Sequence, residues 1–374
     1  MSIFGNMKHL VFVSNEISPD KGGIQNMCYY VSDALSSHYE VTVICTSDSQ
    51  VSDKLVNHIV KSRYSSKNYN SFRRDVAHLI CKVHRTKTID YILYAQYSLS
   101  SYSVFISLIK QIPYIILGHG NELYGNVGKS TIKTIFLNRQ RRFILDKANL
   151  IIANSQFTKG LVNSITRNKN IVVIHPPVKE VTIDNGIIQS EPYRIFSISR
   201  LVKRKGLQLV IRAVAKLVHK FPLIHYYIAG SGDYESNLRL LVEQLGLENN
   251  ISFLGRVTEE EKQIQYQKCA LFVMPSFSIP SDSSVEGFGI VFLEANAYGK
   301  FVIGSHSGGI PDAINEGVTG LLAKENDVDS VTTCIDNFFS NNRLYNPSAC
   351  YEWAKYHSKE NIALQYKQMI DNVI

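Results

Sequence analysis

The chain has 374 residues, 45% of them apolar and 19% charged, with a formal net charge of +8. That composition excludes a disordered or fibrous protein, and the length suits two domains rather than one. The charge is uneven: residues 1–180 hold 22 Lys and Arg against 11 Asp and Glu, an excess of +11, and the remainder is slightly acidic.

The elements follow in order. HLVFVSN (9–15) is a strand. Its apolar run is too short for a signal peptide, so no secretory leader is expected. After the glycine pair Gly22-Gly23, apolar residues at Ile24, Met27, Cys28, Val31 and Leu35 mark an amphipathic helix. VTVICTS (41–47), IDYILYA (89–95), YIILGHG (114–120), LIIANS (150–155) and IVVIH (171–175) are further strands with helical stretches between them. The uncharged segment Tyr91–Ile109 carries five serines and a glutamine, and reads as a strand plus a small-residue helix rather than a membrane span. HPPV (175–178) and the polar residues up to Pro192 form a linker. A second series follows: YRIFSISR (193–200), HYYIAGSG (225–232), ISFLGRV (251–257), ALFVMPS (270–276) and KFVIGSH (300–306), then a last helix with Ile362, Tyr366, Met369, Ile370 and Val373 on one side. Strands alternating with helices predict parallel βαβ units. The fold class is therefore α/β, with two doubly wound Rossmann-like domains, 1–180 and 193–352, and a terminal helix, 353–374. Ligands in such sheets bind beyond the carboxyl ends of the strands, here expected in a cleft between the domains.

None of the six cysteines forms a CxxC pair, and the set reads as buried thiols. No cluster of His, Asp or Glu shows metal-ligand spacing, so no metal or other cofactor is expected. Two segments carry chemistry. In SISRLVKRKG (197–206), Arg200 ends a strand and Lys205 opens the next helix. Both suit a leaving group that gains negative charge; the competing reading is a solvated basic turn that includes Lys203 and Arg204. In EGFGIVFLE (286–294), Glu286 and Glu294 lie eight residues apart. Gly287 and Gly289 permit close backbone approach, and a helix starting at Ile290 would aim free N–H groups at an anion. His119 follows a strand in GHGNE (118–122), a position compatible with a hydrogen-bonded core histidine or with a site residue.

The second segment resembles the E-x7-E signature of family-4 retaining glycosyltransferases of the GT-B fold. GGIQN (22–26), GHGNE, SISRLVKRKG, AGSGDY (229–234), FLGRV (253–257) and GGIPDAINEGVTGLL (308–322) are similar to further segments of that family, in the same order. The resemblance implies a hexosyltransferase that uses a UDP- or GDP-sugar and needs no metal, with the C-terminal helix crossing back to the first domain. By the same resemblance, Gly22 and Gly23 bring backbone amides to the phosphates and acceptor, and His119 lies near the transferred sugar. Arg200 and Lys205 hold the diphosphate, with Gly230 at a strand end beside the nucleotide and Arg256 and Val257 along the base. Glu286 and the amides of Phe288, Gly289 and Ile290 hold sugar hydroxyls and the distal phosphate, and Glu294 binds ribose. Many relatives build surface polysaccharides such as O-antigen on lipid carriers, which implies a cytoplasmic enzyme at the inner face of the membrane with a glycan or lipid-linked acceptor.

Other readings have less support. AGSGDYES has Glu235 where a dinucleotide fingerprint needs its third glycine. An epimerase or hydrolase of the same fold needs acid–base groups that are not evident, and a nucleic-acid binder leaves the second-half motifs unexplained. Eight basic residues between Lys61 and Lys87 are opposed only by Asp75, with Tyr64, Tyr69 and Phe72 interleaved. This pattern suits an anionic membrane surface.

Overall fold

The structure, a computed structural model, describes residues 7–18, 23–50, 58–124, 132–179, 190–279, 284–341 and 345–373. The chain divides into two compact units, Met1–Pro177 with Ser358–Ile374, and Val178–His357.

In the first unit the order is β1 (His9–Val13), α1 (Gly23–Leu35), β2 (Glu40–Cys45), β3 (His58–Lys61), α2 (Tyr69–Thr86), β4 (Tyr91–Tyr94), α3 (Val104–Ile109), β5 (Tyr114–Gly118), α4 (Asn121–Tyr124), α5 (Ile132–Lys147), β6 (Leu150–Ala153), α6 (Gln156–Ile165) and β7 (Ile171–Val173). The sheet runs β3-β2-β1-β4-β5-β6-β7, with every pairing parallel. Central strands such as β1, β2 and β5 are buried along their whole length. They are predominantly apolar, and even the polar residues His9, Glu40 and Thr42 are buried, as expected of a sheet covered on both faces. The short edge strand β3 escaped the sequence reading because HIVK has one ordinary apolar pair and sits at the end of a basic stretch.

The second unit contains β8 (Arg194–Ile198), α7 (Leu207–Leu217), β9 (His225–Ala229), α8 (Glu235–Gln244), β10 (Ile251–Gly255), α9 (Glu259–Lys268), β11 (Leu271–Val273), α10 (Ile290–Ala297), β12 (Phe301–Ser305), α11 (Ile310–Ala313), β13 (Gly320–Ala323), α12 (Val328–Ser340) and α13 (Pro347–Tyr356). Its parallel sheet runs β10-β9-β8-β11-β12-β13. Alternate strand residues divide between two cores: Ile195, Val273 and Ile303 pack in one, Phe196, Phe272 and Val302 in the other. The period-two alternation thus places one core on each face of the sheet. The reading of two doubly wound domains holds.

Residues 353–374 are not one helix. α13 ends at Tyr356, and α14 (Lys359–Val373) belongs to the first unit, where Ile362, Tyr366 and Ile370 join its core. Lys359 anchors α14 to α1 through Asp33 at 2.7 Å. The segment Tyr91–Ile109 is β4, a short 3-10 turn and α3, and no described helix is long and apolar enough to cross a membrane. Among the aromatics interleaved with the basic stretch, Phe72 is wholly buried and Tyr64 and Tyr69 pack against the core. Phe72 is thus a core residue of α2 and takes no part in any surface contact, whereas Tyr64 and Tyr69 keep part of their rings exposed.

In each sheet the strand order reverses once, between β1 and β4 and between β8 and β11. Such switch points are where open α/β sheets leave a crevice beyond the strand ends. Gly206, between β8 and α7, has φ +74°, and a Cβ there would lie 2.1 Å from the Pro275 carbonyl oxygen after β11. Gly246 has φ +63° but open space around it. Gly246→Ala should therefore cost about 1–2 kcal/mol of stability from left-handed backbone alone. Gly206→Ala should cost clearly more, because backbone must also move. Urea unfolding of both variants measures the gap; equal losses would contradict this packing.

Candidate active site

The segment after β8 folds into a single 3-10 turn, Lys203–Lys205, closed by Gly206. This turn is not a solvated loop. Arg204 and Lys205 are both buried, and the Arg204 carbonyl accepts the Phe277 N–H at 2.8 Å. The turn therefore lies against the segment leaving β11, across the switch point. Both cations converge on one carboxylate oxygen: Lys205 Nζ lies 2.6 Å and Arg204 Nη1 2.9 Å from Glu286 Oε2.

Burial alone would raise the Glu286 carboxyl pKa, but the charges of Lys205 and Arg204, with their hydrogen bonds, hold it down at about 2. Lys205 is pushed below its ordinary value, chiefly by burial and further by Arg204 and Arg200, against the pull of Glu286. No described residue donates to Glu286 Oε1, so one oxygen is an anchor and the other keeps its acceptor capacity. The Glu286 backbone is fixed as well. Its carbonyl accepts Gly309 N–H at 2.9 Å, and a Cβ on Gly308 would fall 2.2 Å from that carbonyl oxygen. The double glycine of GGIPD is thus explained by close backbone approach.

Four residues further on, Ile290 opens α10. Gly289, at φ +94°, is its N-cap, and no side chain caps the first turn. The amide end of the helix is thus left to backbone or ligand. Phe288 is buried in the core. Glu294, in the second turn, accepts the Tyr266 hydroxyl at 2.9 Å on Oε2 and has Lys262 Nζ 3.8 Å from Oε1. Tyr266 is fully buried, and its hydroxyl is pushed well above the usual phenol value by burial and then by the Glu294 charge.

Arg200 is exposed, and its guanidinium makes no hydrogen bond or ion pair with the described residues. Gly230, at φ +123°, needs to be glycine for a packing reason: a Cβ would stand 1.8 Å from the Ser199 carbonyl oxygen. The AGSGDY loop therefore clasps the backbone beside Arg200, and Leu201 N–H donates to Ser231 O at 3.0 Å. Arg256 joins the group by donating from Nε to Ser231 Oγ at 2.9 Å, and Val257 packs partly buried beside it.

In the first unit, His119 directly follows β5 and is buried. Its Nε2 lies 2.6 Å from the Ala95 carbonyl oxygen, which can only accept, so that nitrogen carries the proton. Nδ1, an acceptor when the ring is neutral, is buried and without a partner among the described residues. Glu122 holds the His119 amide at 2.7 Å and Asn154 donates to its carbonyl at 3.3 Å. Gly23 begins α1 beside open space, so neighbouring atoms do not demand glycine there. Gly22 lies outside the described residues.

All of Arg200, Lys205, Glu286, Glu294, Gly230, Arg256, Val257, Phe288, Gly289 and Ile290 belong to the second unit, while His119 and Gly23 stand in the first; direct contacts join Lys205 to Glu286, link Arg256 to the Ser231 loop beside Gly230, and tie Glu294 to Tyr266 and Lys262. Sequence reasoning missed four contributors. Arg204 figured only in the competing reading of a solvated basic turn, and its burial identifies it. Tyr266 and Lys262 lie on α9, whose helical spacing puts them on one side, but nothing in the sequence pairs them with Glu294. Glu325 accepts from both Ser278 and Ser307 and so holds the start of FSIPSDSSV (277–285), a serine-rich loop before Glu286. Of that loop, residues 280–283 lie outside the described residues. An Asp-x-Asp string does occur at 327–329, but Asp327 caps α12 and Asp329 pairs with Lys216.

Replacing Glu286 by Gln leaves two buried cations without a counter-charge, which should cost on the order of 2–4 kcal/mol at neutral pH. A carboxyl whose folded pKa is depressed stabilises the fold fully above its unfolded value, and this is lost as pH falls toward the folded one. The stability gap between wild type and Glu286→Gln should therefore narrow by about 1–2 kcal/mol between pH ~6 and pH ~3. Urea titrations across that range test this; a gap independent of pH would contradict the ion cluster.

Comparison with known proteins supplies a family. Residues 178–356 match the family model "Glycosyl transferases group 1", and residues 21–180 match "Glycosyltransferase Family 4". A GDP-mannose-dependent alpha-(1-6)-phosphatidylinositol monomannoside mannosyltransferase of Mycolicibacterium smegmatis is 34% identical over 149 residues, 40% of this chain and 39% of the relative. The amylovoran biosynthesis glycosyltransferase AmsK of Erwinia amylovora is 29% identical over 181 residues, 48% of this chain and 44% of the relative. The chain thus spans about two fifths of the length of these curated relatives. Among solved structures, Anabaena HepE in complex with UDP and glucose superposes with a TM-score of 0.74 at 18% identity, covering 98% of this chain and 100% of that one. That likeness extends the two-domain Rossmann-like fold, GT-B, to the full chain. With both units matched by their own family models, the chain belongs to the group 1, family-4 glycosyltransferases.

Proposed function

We propose that this protein is a retaining glycosyltransferase that moves a hexose from a nucleoside diphosphate sugar to a glycan or lipid-linked acceptor in the synthesis of a bacterial surface polysaccharide. The observation that carries the reading is the preformed cluster of Arg204, Lys205 and Glu286 beside the uncapped start of α10, at the switch point of the second sheet. UDP and glucose are bound by the Anabaena protein, and GDP-mannose is the donor in the name of the mycobacterial relative. Both donors share the diphosphate and ribose that the proposed site addresses.

In this reading the donor diphosphate lies against Arg200 and Lys205. As the bond between the anomeric carbon and the phosphate oxygen breaks, negative charge grows on that oxygen, and cations already held in place stabilise it without reorganisation. Glu286 supports this twice. Its anchored oxygen fixes Lys205, and its other oxygen accepts from sugar hydroxyls. The amides of Phe288, Gly289 and Ile290 face the distal phosphate, Glu294 takes the ribose hydroxyls, and Arg256 with Val257 and Gly230 borders the base. His119, with Nδ1 as an acceptor, serves a hydroxyl of the transferred sugar, and Gly22 and Gly23 admit phosphate and acceptor. The acceptor oxygen attacks from the face the phosphate leaves, and the departing phosphate receives its proton. No metal is required, because the cations take the charge-balancing role. The basic first half suits work at the cytoplasmic face of an anionic membrane, where a lipid-linked acceptor is presented.

Arg200→Ala should lower turnover ~100-fold with the fold intact, since its guanidinium supports no other described group. Lys205→Ala should lower it at least as far. Steady-state rates with circular dichroism check both; unchanged rates would remove these residues from the site. Glu286→Gln should impair transfer more than nucleotide binding, and Glu294→Gln the reverse. Titration of each variant with UDP and GDP, beside the rates, separates the roles. Activity should also persist in excess EDTA; loss restored by Mg²⁺ or Mn²⁺ would refute metal independence.

A further inference from the structure

Single exposed apolar side chains are ordinary on soluble proteins, but a contiguous group of them marks a binding surface. Such a group lies on the first unit. On α5, Ile135, Phe136, Leu137 and Phe143 are 49%, 67%, 41% and 37% exposed; on α3, Phe105 and Ile109 are 56% and 81% exposed. The two helices share one face. The Phe105 and Phe143 rings stack with centroids 5.9 Å apart, and Gln140 reaches the Ser101 carbonyl just before α3. Phe136 precedes Phe143 by two helical turns and falls on the same stripe. These residues are not spare core, because α5 already buries Ile144 and Leu145 on its inner side.

The exposed charges around the patch are predominantly basic. Arg139, Arg142 and Lys147 on α5 and Lys110 after α3 are exposed. Arg73 of α2 lies over the Tyr102 ring at 5.5 Å and joins the patch to the basic stretch 61–87. Between residues 102 and 147 the only carboxylates are Glu122 and Asp146. Glu122 is bonded to the His119 amide, and Asp146 to Thr166 and Arg142. An apolar centre with a cationic border fits the headgroup layer of an anionic bilayer. A second copy of the chain fits poorly, since a two-fold contact would set this border against itself.

We propose that the α3–α5 face inserts its apolar side chains into an anionic membrane, while the neighbouring basic stretch supplies the attraction. The proposal builds on the membrane setting given above for the enzyme and assigns the insertion to a surface that the sequence did not suggest. Electrostatic attraction is screened within about 10 Å at 0.1 M salt, whereas burial of apolar surface is not screened. The two contributions can therefore be separated.

The experiment is co-sedimentation of the full chain with phosphatidylglycerol-containing vesicles and with phosphatidylcholine vesicles, from about 0.05 M to about 0.5 M salt. The wild type should bind the anionic vesicles at low salt and keep a measurable fraction bound at high salt. Phe105→Ser with Phe136→Ser should weaken binding about tenfold or more and abolish the salt-resistant fraction. Leu240→Ser, an equally exposed apolar site on the second unit, should change nothing. UDP and GDP titration of the same variants reports the donor site independently, so the donor reading and the surface reading fail separately. Wild-type binding to no vesicle, unaltered binding by the double variant, or concentration-dependent dimerisation that Phe136→Ser removes would each overturn the proposal.

Discussion

A carboxylate taken largely out of water stays ionised only where cations accompany it. Glu286 meets this condition with Lys205 and Arg204 on a single oxygen, and much of the second unit can be understood from that cluster. The cations reach Glu286 because the chain leaving β8 tightens into one 3-10 turn and reverses at a left-handed glycine, Gly206. They stay there because the same turn is bonded to the exit of β11 through Phe277. The carboxylate is held in turn by Gly308 and Gly309 pressing on its backbone. Three sequence segments, far apart along the chain, are thereby fixed around one charge.

The sheet topology places this cluster. Parallel strands of reversed order open a crevice at their carboxyl ends, and β8 and β11 flank that point. Charges positioned there before a ligand arrives need no rearrangement as a leaving group becomes anionic, and this is where preorganised sites gain their advantage. The ion cluster also has a cost, because Lys205 is desolvated and its ammonium form disfavoured.

Most of the architecture was legible in the sequence because buried parallel strands are unbroken apolar runs and the helices between them keep a clear period. β3 and β13 were not, since HIVK and GLLA are too short to stand apart from their surroundings. The split between α13 and α14 was hidden because Tyr356 to Lys359 carries neither glycine nor proline. At the site, glycine pairs and strand-end charges were readable, and Gly289 and Gly308 have the backbone or contact reasons that glycine implies. Gly230 is required in the same way, by the Ser199 backbone. Arg204 could not be recognised beside Lys203 and Lys205, because three adjacent cations look alike until burial separates them. The aromatics around the basic stretch misled for the same reason. Spacing does not say which face of α2 is covered, and Phe72 went to the core while the exposed rings came from α3 and α5.

The central claim is that the second unit presents a preformed diphosphate site used for sugar transfer. It is tested most directly by following release of free nucleoside diphosphate from a panel of UDP- and GDP-sugars, with and without a lipid-pyrophosphate or oligosaccharide acceptor. The account predicts that one donor yields nucleoside diphosphate only when acceptor is present, with the anomeric configuration of the sugar retained in the product. Release that is independent of acceptor, or a product of inverted configuration, would contradict it.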